Sequence, residues 1–138
     1  MAYWLLKSDP DTYSWDDLVR DKETDWTGIR NFQARNNLKL MKKGDRAFVY
    51  HSQEDKEIVG VAEIVETAKL DPTAEEGDWV SVRIRALGPC GRTIGLEEVR
   101  NTPGLGTMAL VTHSRLSVQP VTEAQWNALL KYTKTTFS

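Results

Sequence analysis

The sequence contains few of the residues on which disulfide scaffolds and metal sites depend. Its 138 residues include a single cysteine, Cys90, and two histidines, His51 and His113. One cysteine excludes both an internal disulfide framework and a cysteine zinc site, and two histidines leave little for any other metal site. We therefore expect a protein without a bound metal or another cofactor.

Long hydrophobic runs are also missing, and this excludes a helix that spans a membrane. The uncharged apolar stretches are only a few residues long, whereas a membrane span needs about 20. The N-terminal sequence MAYWLLKSDP has neither a basic start nor a long apolar segment, so no signal peptide is predicted. Apolar residues make up 40% of the chain and charged residues 28%, as in globular proteins. We expect one domain over residues 1–138, monomeric and cytoplasmic, that does not bind membranes.

The motifs of the common catalytic sites do not occur in the sequence. There is no G-x-S-x-G nucleophile elbow and no G-x-x-x-x-G-K-[ST] phosphate loop. Gly104-x-Gly106 lacks the third glycine of a dinucleotide site, and Cys90 has no nearby histidine to activate a thiol. His51 ends a predicted strand, where a hydrogen-bonded structural role is commoner than catalysis. We predict that the protein is not an enzyme, and a general base at His51 stays open as an alternative.

Hydrophobic periodicity and capping signals predict short strands interrupted by helices. Residues 79–87 alternate apolar and polar side chains, a pattern typical of a half-buried strand. Ser14 and Thr122 begin capping boxes, which predict helices directly after them. A third helix should open at Asn31 or Phe32 and end at Gly44. Further strands are expected at 3–7, 46–51, 58–65 and 116–118, and irregular segments, loops or turns at 26–30, 66–78 and 89–91. The predicted fold class is α+β, a small mixed β-barrel flanked by helices.

Charge is unevenly distributed along the chain. The net charge is only −2, and such a near-neutral total argues against a protein that coats DNA nonspecifically. Residues 9–25 and 54–78 are rich in acids, whereas residues 27–44 hold five bases and no acid. Arg35 and Lys39 share one face of the predicted helix. Such a basic patch suits a focused anion site, and a solvated helix face is an equally good interpretation.

Aromatic residues give a stronger indication of function. Of the five tryptophans, Trp4, Trp15 and Trp126 have apolar neighbours and are predicted to lie in the core. Trp26 stands in the segment TDWTG without apolar periodicity around it, just before the basic helix. A planar base would stack on this ring, and Asn31 would hydrogen-bond the edge of that base. Two interpretations of Trp26 stay open on these residues alone: a buried core anchor and a wall of a binding pocket.

Five segments of the sequence resemble the motifs of a known family. Tyr3–Pro10 (YWLLKSDP) and Trp26–Leu38 (WTGIRNFQARNNL) are similar to the W-L-x-K-[ST]-E-P opening and the W-x-G-V-R-N-x-x-A-R-N-x-L signature of EVE domains. Met41–Asp45, Val49–Ser52 and Arg115–Val121 are similar to further segments of the same family. The similarity covers nearly the whole chain, with the motifs in the right order. The sequence therefore resembles EVE domains, which belong to the PUA-like superfamily together with YTH domains.

This resemblance implies a PUA-like β-barrel and the binding of nucleic acid that carries a modified base, with a C5-modified cytosine in DNA as the leading ligand. The implied base pocket consists of residues at strand ends and around the tryptophan: Lys7, Ser8, Trp26, Asn31, Tyr50, His51 and Ser52. The expected phosphate-binding residues are basic: Arg30, Arg35, Lys39 and Arg115. Both Arg30 and Arg35 have a second, structural interpretation, in which Arg30 bridges its loop to the acidic segment and Arg35 pairs with an acid of residues 9–25. The chain departs from the family at Asp9, usually Glu, and at Phe32, often Tyr.

Recognition of a base in a pocket requires that the base leave the helical stack or be met single-stranded. The resemblance, together with the lack of a core pattern around Trp26, favours a partly exposed ring in a pocket wall over a core anchor. We expect this ring to stack on the base while Ser8 and Asn31 hydrogen-bond its edge. Two alternatives remain open: a PUA-like domain that binds RNA or senses a small molecule, and an enzyme that acts on a modified nucleotide with His51 as general base. Affinities for modified DNA, modified RNA and free nucleosides would separate them.

Overall fold

The computed structural model describes residues 1–52 and 56–135. These two ranges contain six strands in one sheet and five helices. The strands are β1 (Tyr3–Ser8), β2 (Glu23–Trp26), β3 (Arg46–His51), β4 (Glu57–Leu70), β5 (Val80–Gly95) and β6 (Val118–Val121). The helices are α1 (Trp15–Asp21), α2 (Phe32–Leu40), α3 (Leu96–Arg100), α4 (Ala109–Thr112) and α5 (Glu123–Tyr132).

The sheet has the strand order β2-β5-β4-β3-β1-β6, in which only β1 and β3 run parallel. This mixture of one sheet with helices confirms the predicted α+β class. Closure into a barrel is not seen, because β2 and β6 form no ladder with each other within the described ranges. Helix α2 lies against the β6 edge instead, where the Asn37 amide donates a hydrogen bond to the Val118 carbonyl at 2.7 Å. A side chain thus satisfies an edge group that a closed barrel would pair with another strand.

The core consists of two clusters on opposite faces of the sheet. Successive residues of a strand point to opposite faces, so Leu5 and Leu6 enter different clusters although both are fully buried. The first cluster includes Trp4, Trp15 and Trp26 together with α1 and α2. The second is built around Trp126 and covers the other face. The central strands are therefore apolar on both sides.

Local sequence signals explain how the helices begin. Ser14 and Thr122 both form complete capping boxes, which confirms the predicted starts of α1 and α5. Helix α2 begins after its N-cap Asn31 but ends at Leu40, four residues before the predicted stop. The reason is a turn in which the Lys42 N–H donates to the Asp45 carboxylate at 2.9 Å.

Three segments that were predicted to be irregular belong to strands. Trp26 ends β2, the first part of the acidic stretch 66–78 extends β4, and the turn expected at 89–91 lies within β5. Pro89 is tolerated there because the register between β4 and β5 shifts next to it, opposite Gly60. Gly60 also lets α1 approach the sheet, since a Cβ at this position would lie 2.6 Å from the Trp15 ring. Within the described ranges, no helix has the length and apolar composition needed to cross a membrane.

Candidate functional site

A cavity of about 440 Å³ opens where the end of β1 meets the end of β2. Strand β1 contributes Lys7 and Ser8, β2 contributes its last residues up to Trp26, and the loop 27–30 closes one side. The complete lining is Lys7, Ser8, Asp9, Thr12, Tyr13, Thr24, Asp25, Trp26, Thr27, Gly28, Ile29, Arg30 and Ser117. The cavity, called the first cavity below, contains four of the residues that the sequence predicted for the site: Lys7, Ser8, Trp26 and Arg30.

Trp26 lines the first cavity and is at the same time part of the core. Its ring meets Tyr13 edge to face, with 6.2 Å between the ring centroids. The residue is 7% exposed and belongs to the first core cluster. The expectation of a partly exposed ring was therefore wrong, because Trp26, the last residue of β2, pairs with Val82 and packs into the first core cluster beside the Tyr13 ring. A ring that is held this firmly presents a rigid wall to the cavity.

The loop 27–30 is fastened by the carboxylate of Asp71, which lies beyond the end of β4. One oxygen accepts hydrogen bonds from the Gly28 N–H at 2.9 Å and from Arg30 at 3.0 Å. The other accepts from the N–H and the hydroxyl of Thr73. Burial of the carboxyl group opposes its ionisation, but these four donors outweigh burial and lower the pKa of Asp71 to about 2. The cavity wall thus depends on an ionised, buried carboxylate outside the cavity lining.

Lys7 and Ser8 both line the cavity, and the side chains of both already have partners. The Lys7 ammonium donates to the Ser114 carbonyl at 2.7 Å and lies 5.8 Å from the centroid of the Tyr50 ring. Burial lowers the pKa of Lys7. The Ser8 hydroxyl donates to the Tyr13 carbonyl, so both residues hold the mouth of the cavity in shape.

The predicted pocket residues at the end of β3 do not line the first cavity. Tyr50 is buried in the second core cluster, on the other face of the sheet. His51 accepts a hydrogen bond from the Trp15 N–H at its Nε2, at 2.9 Å, and so caps the start of α1. Ser52 donates to the Ser8 carbonyl from both its N–H and its hydroxyl. The end of β3 lies beside the end of β1, because the two strands are parallel neighbours, and these residues therefore stabilise the end of β1.

Asn31 is also absent from the first cavity and lines a second one beside it. This second cavity has about 280 Å³ and is lined by Asn31, Gln33, His113, Ser114, Arg115 and Leu116. The Asn31 side-chain oxygen accepts from the Ala34 N–H at 2.9 Å as the N-cap of α2. The predicted pocket residues are therefore divided between a cavity, a neighbouring groove and a supporting strand end.

Three of the four predicted phosphate-binding residues are engaged in ion pairs. Arg30 pairs with the buried Asp71, and Arg35 and Lys39 both pair with Asp78 at 2.5 and 3.2 Å. This agrees with the structural interpretation of Arg30 and Arg35, although Arg35 is paired with the segment after β4 and not with residues 9–25. Arg115 is exposed, lines the second cavity and has no ion pair among the described residues.

The sequence matches the family model for the EVE domain over residues 2–132. The chain belongs to the EVE domain family. Thymocyte nuclear protein 1 of Mus musculus is 36% identical, over 96% of this chain and 74% of the mouse protein. The human homologue is 33% identical, over 94% of this chain and 72% of its own length.

Solved structures agree with this assignment. A protein of Rhodopseudomonas palustris, determined by NMR, superimposes with a TM-score of 0.93 at 45% identity, covering 100% of this chain and 97% of its own. The human THYN1 protein in complex with 5-methylcytosine containing DNA superimposes with a TM-score of 0.89 at 30% identity. The match covers 99% of this chain and 100% of the human chain in that structure. A YTH domain of Zygosaccharomyces rouxii is only 17% identical, with a TM-score of 0.62 over 99% of this chain and 89% of its own. That last likeness shows that the chain shares the fold of this YTH domain.

The sequence did not reveal two residues that shape the site of this EVE domain. Asp71 was indistinguishable from the other acids of the stretch 66–78, because its partner Gly28 is 43 positions away. Tyr13 precedes the predicted helix start at Ser14 and carries no signal of its own, although it lines the cavity and its ring meets that of Trp26. Asp71 and Tyr13 shape the first cavity because the fold brings distant segments of the chain together. No local pattern of residues indicates such a contact.

Proposed function

We propose that this EVE domain reads nucleic acid by taking up a modified base in the first cavity, with a C5-modified cytosine in DNA as its ligand. The observation that carries the proposal is the close match to the human THYN1 protein, whose structure contains 5-methylcytosine DNA. The sequence identity of 30% over nearly the whole of both chains supports a shared ligand class.

The size and lining of the first cavity support this proposal. Its volume of about 440 Å³ falls in the range of about 300–1,000 Å³ typical of small-ligand sites. Trp26 and Tyr13 supply rigid aromatic surface, and base–aromatic stacking is worth about 1–3 kcal/mol per base. Asp25, Thr27 and Ser117 add polar groups at the rim. A base rotated out of a duplex, or presented by a single strand, would meet apolar and polar groups together.

Discrimination of a methyl group requires a close fit to an apolar wall. Burial of one methyl or methylene group is worth about 0.8 kcal/mol, which corresponds to about a fourfold difference in affinity. Ile29 and Trp26, both buried and both lining the cavity, offer such a wall. Larger discrimination arises where the wrong base would leave polar groups of the site without partners.

The test compares affinities for matched oligonucleotides that differ only in one base. Single-stranded and duplex DNA with cytosine, 5-methylcytosine or 5-hydroxymethylcytosine at one position is titrated against the protein, with the corresponding RNA in parallel. We expect at least about a fourfold preference for a C5-modified cytosine in DNA. Equal affinity for modified and unmodified DNA would overturn the proposal, and a preference for modified RNA would transfer it to RNA.

A variant that fills the cavity tests its location. Thr27→Trp places a large ring at a half-buried position that lines the cavity and should remove the preference for the modified base. Thr93→Trp makes the same change on an exposed residue of β5 that does not line the cavity, and it should retain the preference. If Thr27→Trp folds and still discriminates, the base binds elsewhere.

A further inference from the structure

We infer that the second cavity binds the phosphodiester group next to the base in the first cavity. The inference rests on the proposed function, since it assigns the neighbouring part of the same nucleic-acid ligand. The two cavities share two walls: Arg30 and Ser117 line the first, and the residues adjacent to them in the chain, Asn31 and Leu116, line the second. A nucleotide whose base enters the first cavity therefore brings its backbone to the second.

Asn31 and Arg115 offer hydrogen-bond donors to a ligand in the second cavity. The capping bond to Ala34 occupies the Asn31 oxygen and leaves its amino group available. His113 is not among these donors: the Thr112 hydroxyl 2.8 Å from its Nδ1 already donates to the Met108 carbonyl at 3.2 Å, so Nδ1 is the ring donor and Nε2 of the neutral ring is an acceptor. Arg115 adds a guanidinium group without an ion pair in the described part of the chain.

Among the residues that the structure describes, no carboxylate lines the second cavity, and the Ser114 carbonyl, an acceptor, already accepts from Lys7. The environment thus suits an anion with several acceptor oxygens, which is the chemistry of a phosphodiester.

The other candidate phosphate ligands are less suitable. Arg30, Arg35 and Lys39 would each have to leave a carboxylate, either Asp71 or Asp78, before they could bind a phosphate. The first cavity itself contains Asp9 and Asp25 in its lining. The same lining also holds Lys7 and Arg30, so its two carboxylates and two cations balance. Arg115 instead gives the second cavity a cation with no carboxylate in the described lining, so the structure favours Arg115 among the four predicted phosphate-binding residues.

The test removes one negative charge from the DNA and one positive charge from the protein, separately and together. The DNA carries a single 5-methylcytosine, and the phosphate on its 5′ or its 3′ side is replaced by a neutral methylphosphonate. The protein is compared with Arg115→Gln, and with Lys131→Gln as a control that removes an exposed lysine of α5 outside both cavities.

We expect the unaltered protein to lose about threefold to tenfold in affinity for one of the two methylphosphonate DNAs. Arg115→Gln should bind the all-phosphate DNA correspondingly more weakly, with a salt dependence flatter by about one counterion, and should be insensitive to that methylphosphonate. Lys131→Gln should remain as sensitive as the unaltered protein. Free 5-methyl-2′-deoxycytidine, which has no phosphate, should bind Arg115→Gln and the unaltered protein equally.

Two results separate the failure of this inference from the failure of the proposed function. If the unaltered protein and Arg115→Gln are equally sensitive to each methylphosphonate, the phosphodiester does not contact Arg115 and the inference is overturned. If the unaltered protein binds methylated and unmethylated DNA equally, the proposed function is overturned, whatever the methylphosphonates show.

Discussion

The Gly28 N–H donates a hydrogen bond to the Asp71 carboxylate at 2.9 Å, although the two residues are 43 positions apart. Gly28 has a φ of +83°, in the left-handed region that glycine adopts without steric cost. The same carboxylate oxygen accepts from Arg30, so one side chain fixes both the turn and its exit towards α2. The geometry of the first cavity is thus set by a contact between the loop after β2 and the segment after β4.

The ionised state of Asp71 should stabilise the fold in a defined pH window. Its pKa in the folded protein is lowered to about 2 from an ordinary value of 3.8. A lowered pKa means that the stabilisation is complete above about pH 4 and is lost as the pH falls from there towards 2. The difference corresponds to about 2 kcal/mol in the free energy of unfolding.

Chemical denaturation of the protein and of Asp71→Asn between pH 2 and 6 measures this contribution. The stability gap between the two should shrink by about 2 kcal/mol on acidification. Glu75→Gln, an exposed acid in the same connection, is the control and should follow the unaltered protein. A gap that stays constant across this range would show that Asp71 does not titrate as its contacts indicate.

Trp26→Ala should destabilise the protein by about 3–5 kcal/mol, as large-to-small changes in a core do. The reason is its burial in the first core cluster, in contact with Tyr13. Trp26→Phe keeps an aromatic ring and should remain folded, while its affinity for the modified base decreases. Denaturation curves beside binding titrations check both variants. An alanine variant of unchanged stability would contradict the core role, and full binding by the phenylalanine variant would contradict the indole ring as the stacking surface.

Asp78→Asn should increase nonspecific binding to DNA. Asp78 pairs with both Arg35 and Lys39 on one face of α2, and its removal leaves two cations without that partner. We expect about a twofold to fivefold higher affinity for unmodified DNA at low salt, with a steeper salt dependence. Glu123→Gln, which removes one exposed acid from α5, controls for net charge. If the two variants behave alike, the effect is due to total charge and not to the released pair.

His51→Ala should cost stability and leave base discrimination unchanged. The Trp15 N–H at the start of α1 would lose its acceptor, and an unsatisfied buried donor costs about 1–3 kcal/mol. Denaturation and the affinity ratio for modified and unmodified DNA measure the two effects. Turnover of a modified nucleoside that disappears in this variant would instead show that His51 is a general base.

Much of the secondary structure could be predicted because its signals are local. The capping boxes at Ser14 and Thr122 act over three residues, and the alternation along residues 79–87 reflects the two faces of one strand. The family resemblance likewise predicted site residues that line the first cavity: Lys7, Ser8 and Trp26 for the base pocket, and Arg30 for phosphate binding. The lengths of β4 and β5 could not be predicted, because pairing between the two strands extends them into polar and Pro-containing sequence.

By itself, the sequence determined the starts of α1, α2 and α5, the α+β class and the family, since these depend on neighbours within a few positions or on contiguous motifs. Only the tertiary structure decided how the candidate residues act. Trp26 lies in the core, and His51 accepts a hydrogen bond at the start of α1. Asn31 lines a second cavity, and Arg30 forms an ion pair with Asp71. Each of these outcomes depends on which segments the sheet brings together. Such long-range contacts depend on the packing of the whole chain, and a local pattern of residue types does not predict them.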